Sequence, residues 1–135
     1  MTAELPIVEF AFPGPVRDKI VAAIEAGAKT ATSSLLREYE VAGEPVPQVG
    51  SRGVLVDSAG QRRAVLETTN VELVRLCDVS LEHALNEGEG YSSVDEWRTG
   101  HLRFWSSAEM QEELGGDFTV HDSSVVVLER FQIVR

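Results

Sequence analysis

A single cysteine, Cys77, stands in the 135 residues, so no disulfide can form within the chain. That fits a reducing cytoplasm. Cys77 falls in the apolar run Val71–Val79 and is expected to be a small buried hydrophobe rather than a nucleophile. Long apolar runs are missing as well: no stretch approaches the ~18 residues that suggest a membrane span. Met1–Phe12 has no basic segment followed by an apolar one and does not read as a secretory signal. Basic residues are scarce, with 12 Lys and Arg against 22 Asp and Glu, a formal net charge of −10. Affinity for nucleic acid phosphates comes from Lys and Arg releasing counterions. This balance therefore argues against long-range attraction to a polyanion, and any RNA binding needs a local basic patch. A free nucleoside carries no phosphate and meets no such barrier. There is no glycine-rich phosphate loop, internal repeat or low-complexity segment.

What is present is the material of one globular domain, residues 1–135. Hydrophobic residues make up 43% and charged residues 25%. A chain of this size buries roughly 68% of the surface its unfolded form exposes. Val8, Phe10 and Phe12 alternate with Glu9 and Ala11, as in a short strand or extended arm, and Pro13-Gly14-Pro15 ends it. Pro15 suits a first helical turn. Val16–Ala26 follows as a helix with Val16, Ile20, Ala23 and Ile24 as its apolar stripe, Arg17, Asp18 and Lys19 on the other side, and Gly27 as its stop. Ser34–Tyr39 is a short helical candidate, and Gly43–Pro47 a turn-rich connector. Gly53–Asp57, Arg63–Thr69 and Val71–Leu76 have strand composition, with a hairpin turn at Ser58–Gln61. Leu81–Asn86 suits one or two helical turns. Ser93 and Glu96 have capping-box spacing and open a helix carrying Val94, Trp97, His101 and Phe104. Gly100 inside it costs about 1 kcal/mol relative to Ala. Ser107–Leu114 extends or restarts that helix, Gly115-Gly116 stops it, and Val125–Ile133 is the strongest strand. The order predicts an α+β fold, with a small closed β-barrel as the way to remove sheet edges.

Three segments together resemble the ASCH domain family, in the type of its larger bacterial members. Gly27-Ala28-Lys29-Thr30-Ala31-Thr32 is similar to that family's Gly-x-Lys-x-x-Thr signature. Gly43-Glu44-Pro45-Val46-Pro47-Gln48-Val49-Gly50 is similar to its proline-rich entry to the barrel. Ala84-Leu85-Asn86-Glu87-Gly88-Glu89-Gly90, with Trp97, His101 and Phe104 after it, is similar to its Glu-Gly-Glu-Gly segment and Trp/His helix. The resemblance covers roughly Arg17–Val134. It implies a PUA-like β-barrel with flanking helices and a cleft for a nucleoside or a short single-stranded RNA. Some small members hydrolyse the acetyl amide of N4-acetylcytidine with a Lys, a Thr and a Glu. By motif position those roles fall on Lys29, Thr32 and Glu87. A larger relative is a single-strand ribonuclease. The chain departs from the pattern at Ser34, where the small hydrolases carry Arg, and at Tyr91, where Asp is frequent.

The residue chemistry allows these roles and plainer ones. A Thr hydroxyl needs a neighbour to take its proton. Lys29 does so only if burial lowers its pKa. If Lys29 and Glu87 form a close pair, Lys29 stays charged and clamps a developing oxyanion, and Glu87 becomes the better base. The alternative is that Lys29 and Thr32 only cap a helix end. Trp97 and His101 are candidates for contact with a base, or parts of a core helix face, the reading preferred for Phe104. Glu89 contributes either to the pocket or to a solvated acidic turn. Arg98, and Arg63 with Arg52 and Arg62, are candidate phosphate contacts or ordinary surface charge. No metal or cofactor is expected, since the spacing of Glu87, Glu89 and Asp95 does not single out a hard-cation site. A non-catalytic RNA-binding module linked to translation or RNA metabolism is the competing reading. It predicts a basic stripe around Arg52, Arg62 and Arg63.

Overall fold

The structure is a computed structural model, and residues 5–135 are described. Five strands, β1 (Ile7–Val8), β2 (Ala31–Leu35), β3 (Arg52–Val56), β4 (Arg62–Arg75) and β5 (Val125–Val134), form one sheet in the order β1-β3-β4-β5-β2. Only β1 runs parallel to its neighbour; the other pairs are antiparallel. The helices are α1 (Pro15–Glu25), α2 (Leu36–Ala42), α3 (Leu81–Asn86), α4 (Val94–Trp105) and α5 (Ala108–Leu114). The α+β prediction holds.

The expected barrel does not close. β1 and β2 are the two edges of the sheet, and no pairing joins them among the described residues. Closure needs strands of matched length and stagger, and β1 offers two residues, both matched to β3.

Two hydrophobic clusters flank the sheet. Val21 and Ile24 of α1 pack on Leu55, Leu66 and Phe131. Trp97 and Trp105 of α4, with Met110 and Leu114 of α5, pack on Leu35, Val126 and Leu128. In β5, Phe131 and Leu128 have opposite parity, and alternate strand residues face opposite sides. The two clusters therefore cover opposite faces.

Several local expectations change. The buried side of α1 carries Arg17, Val21 and Ile24, whereas Val16 is 62% exposed. Arg17 is drawn inward by acceptors rather than hydropathy: its guanidinium donates to the Phe10 and Ala11 carbonyls and to Glu9. Ala31–Thr32 begins a strand, and the helix predicted from Ser34 starts at Leu36, where Glu38 caps it by accepting from the Leu35 N–H at 2.7 Å. The two predicted strands around Asn70 are one strand with a register shift between Thr68 and Asn70. Cys77 sits in a 3-10 turn and is exposed, because that turn puts Leu76 inward instead. Ser93 does cap α4, accepting from the Glu96 N–H. Gly100 has a role that propensity cannot show: a Cβ there would lie 2.6 Å from the Tyr91 hydroxyl. Among the described residues no helix is long and apolar enough to cross a membrane.

Candidate functional site

A cavity of about 800 Å³ is lined by residues of all five strands, including Ile7 and Val8 of β1 and Thr32, Ser33 and Ser34 of β2 at the two edges. Cavities of ~300–1,000 Å³ suit small-molecule ligands. Its charged centre forms where two loops meet. Lys29 follows α1 and the turn at Gly27, and Glu87 follows α3. The loops touch closely: a Cβ on Gly88 would lie 2.2 Å from the Ala28 carbonyl oxygen, and Gly88 has φ +63. Only glycine tolerates both the approach and the left-handed backbone. The Thr30 N–H donates to the Asn86 carbonyl at 2.9 Å, which ties the two segments together.

Both charged groups are buried, Lys29 at 2% and Glu87 at 0% exposure. Lys29 Nζ donates to the Glu87 carbonyl at 3.2 Å and to Glu89 Oε2 at 3.0 Å. It lies 3.9 Å from Glu87 Oε1. Glu87 Oε2 accepts from Ser33 Oγ at 2.6 Å and Trp97 Nε1 at 2.6 Å, with His83 Nε2 at 3.1 Å. The Ser33 hydroxyl has one proton and gives it to Glu87. At 2.7 Å from His83 Nε2 it therefore accepts from that imidazole. Serine, imidazole and carboxylate meet here, but His83 uses one nitrogen toward both partners, so this is no catalytic triad, in which the acid holds the far ring nitrogen.

Glu87 Oε1 differs from its twin. It is fully buried yet has no hydrogen-bond partner among the described residues. His101 Nε2 is 3.1 Å away but out of line. Buried polar atoms are nearly always satisfied, so an orphan requires an explanation. Burial would raise the Glu87 carboxyl, but the adjoining His101 and His83 imidazoles and the Lys29 ammonium outweigh it and hold it well below the usual carboxylate range. A carboxylate held that low is a persistent acceptor and a weak base.

The aromatic side chains divide the wall. His101 Nδ1 donates to the Trp97 carbonyl at 2.9 Å, and its ring stacks on Trp97 at 4.4 Å between centroids. Tyr91 packs against the other side of His101 at 5.7 Å. Burial, and then the charges of Glu89 and Glu87, push the Tyr91 phenol up to about 12. Phe104 lines the cavity while packing against the core.

The sequence candidates are thus placed as follows. Lys29, Glu87, Glu89 and His101 converge on one centre. Thr32 lines the same cavity, beside Ser33 but on the opposite side of the strand. Trp97 has no exposed face and serves the centre through its indole N–H. Arg98 pairs with Asp122, and Arg63 with Glu25 and Asp57; neither lines the cavity. Arg52 pairs with Glu67 at 2.9 Å, so the expected stripe is interrupted by its own carboxylates. Sequence reasoning missed Ser33 and His83. The signal for His83 was its i,i+4 spacing to Glu87; Ser33 lies 54 positions from Glu87 and offered none. Among the described residues no group of three or more His, Cys, Asp or Glu is arranged to hold a metal ion.

A family model described as the ASCH domain matches residues 9–135. The chain is similar to an ASCH domain from Lactobacillus crispatus JV V101 (29% identity, TM-score 0.83, covering 96% of this chain and 79% of that one). It shares its fold with a protein from Enterococcus faecalis V583 (24% identity, TM-score 0.86, covering 99% and 78%). A hypothetical protein, PH0355, is more distant (15% identity, TM-score 0.55, covering 87% and 93%). No curated protein matches significantly.

Proposed function

Because the chain belongs to the ASCH domain family, we propose that its cavity binds a nucleoside, or one base of a short single-stranded RNA, against the Lys29–Glu87 centre. The observation that carries this is the ion cluster of Lys29, Glu87 and Glu89 gathered in the lining of a cavity of about 800 Å³.

The enzymatic form of this reading is hydrolysis of an N4-acylated cytidine. The Thr32 hydroxyl adds to the acyl carbon, the N4–acyl bond breaks and the cytidine amine takes the hydroxyl proton; water then cleaves the acyl-threonine ester, which releases the acid and returns the proton to Thr32. Lys29 then supplies donors to the developing oxyanion. Glu87, held ionised, keeps Lys29 in place from behind the wall. Glu89 holds Lys29 in place. Free nucleoside is favoured over polymer, because the chain carries net charge −10 and Arg52 and Arg63 are already paired. The reading as a non-catalytic RNA-binding module shares the cavity and differs in having no turnover.

The test is an ultraviolet assay of the purified protein with N4-acetylcytidine, beside Lys29→Ala, Thr32→Ala and Glu87→Ala. Conversion to cytidine that each substitution abolishes in a folded variant supports hydrolysis. Absence of conversion at high enzyme concentration, with retained binding of short RNA that weakens as salt rises, supports the binding module.

A further inference from the structure

The cavity has a second polar station that the Lys29–Glu87 centre leaves unused. Glu129 of β5 lies directly opposite Thr32 of β2 in the antiparallel register. Residues opposite one another share a face of the sheet, with Cβ atoms about 5 Å apart. Thr68 of β4, itself buried, donates its hydroxyl to Glu129 Oε2 at 2.7 Å. All three side chains line the cavity. Burial raises the Glu129 carboxyl above its usual range, and the Thr68 hydrogen bond offsets that only in part. No cation forms an ion pair with it among the described residues. Its second oxygen accepts no protein donor there either.

The cations elsewhere in the lining are committed: Arg17 to Glu9, Arg52 to Glu67, Lys29 to Glu89. A phosphate at this station would face a carboxylate with no counter-charge. A group bearing hydrogen-bond donors would find acceptors.

We infer that Glu129, positioned by Thr68, is a specificity-determining residue that accepts hydrogen bonds from donor groups of the ligand, either the vicinal hydroxyls of an unphosphorylated ribose or the amino group of the base. This rests on the nucleoside reading above. A carboxylate accepts two donors side by side, which a neutral amide of the same shape cannot do.

Isothermal titration of cytidine, 2′,3′-dideoxycytidine and cytosine into the wild type and Glu129→Gln tests it. Glu129→Gln should bind cytidine about tenfold more weakly, the loss of one charge-assisted hydrogen bond. If the ribose is read, the wild type prefers cytidine over the dideoxynucleoside and Glu129→Gln loses that preference. If the base amine is read, the loss appears with cytosine as well. Thr68→Val keeps the charge but releases the carboxylate, and should weaken cytidine about threefold. This second variant decides the matter if Glu129→Gln does not fold. Cytidine binding unchanged in folded variants overturns the assignment and leaves the proposed function standing. A wild type that binds neither cytidine nor cytosine overturns both.

Discussion

Glu87→Gln should destabilise the protein by about 3 kcal/mol at pH 7. The substitution keeps volume and removes charge. Oε2 faces three donors, on Ser33, His83 and Trp97, while Oε1 faces Lys29 and His101. An amide has one oxygen, so its NH2 must point at donors whichever way it turns. A lost hydrogen bond to a charged group costs about 1.5–3 kcal/mol, and breaking a buried ion pair about 3–5 kcal/mol. Lys29 retains Glu89, which holds the total near the lower figure. Urea unfolding followed by tryptophan fluorescence reads this directly, since Trp97 and Trp105 are 0% and 1% exposed. The melting temperature should fall by roughly 10 °C.

The pH dependence gives a second reading of the same loss. The folded carboxyl lies below its ordinary value, near ~4.3 in an unfolded chain. The unfolded state therefore binds the proton first, and the contribution is present above about pH 5 and lost as pH falls toward the folded value. Glu87→Gln has no such carboxyl, so the two stability curves should converge in acid. A variant within about 0.5 kcal/mol of the wild type at pH 7, or two parallel pH profiles, would refute the account of Glu87 as the anchor of this centre.

Gly88→Ala should cost at least 2 kcal/mol, combining the Ala28 collision with φ +63, whereas Gly90→Ala, at φ +91 in open space, should cost about 1 kcal/mol; thermal melts separate the two. Gly100→Ala should destabilise despite a helix-propensity gain of about 1 kcal/mol, because its Cβ meets the Tyr91 hydroxyl. In a Tyr91→Ala background the same change should become stabilising, a sign reversal that a double-mutant cycle reads. Both tyrosines, Tyr39 and Tyr91, have phenols pushed up to about 12 by burial. Spectrophotometric titration should show little tyrosinate at pH 10 in the folded protein, and stability should decline above about pH 10, where unfolded phenols ionise first.

Much of this was legible from the chain. The α4 cap at Ser93 and the strands β3 to β5 followed from local pattern, and the Lys29 and Glu87 positions from motif order. The errors have physical sources. The hydropathy stripe on α1 put Arg17 outside, because periodicity weighs apolar area and does not see the carbonyls of a preceding arm. The Thr-Ser run of β2 was not recognised as a strand, and Ser34 was given to a helix, since a strand that turns hydroxyls toward a polar centre lacks apolar alternation. Ser33 and Glu129 depend on pairings 54 and 61 positions distant, Ser33 with Glu87 and Glu129 with Thr68, and no local window contains those. The barrel followed from the need to protect edges, and the structure answers that need with a two-residue edge strand instead.

Arg17 gives the arm before α1 a further meaning. Its guanidinium moors the arm at Phe10 and Ala11, where Ala11 is held at φ 56, a conformation non-glycine residues avoid. The arm supplies Phe10, Ala11 and Phe12 to the cavity wall. The position of this part of the wall thus depends on a residue of α1, not on the groups proposed to meet the ligand. A lineage could enlarge or narrow this pocket by changing Arg17 or the arm's length while leaving Lys29 and Glu87 untouched, so ligand size and site chemistry can evolve on separate parts of the chain.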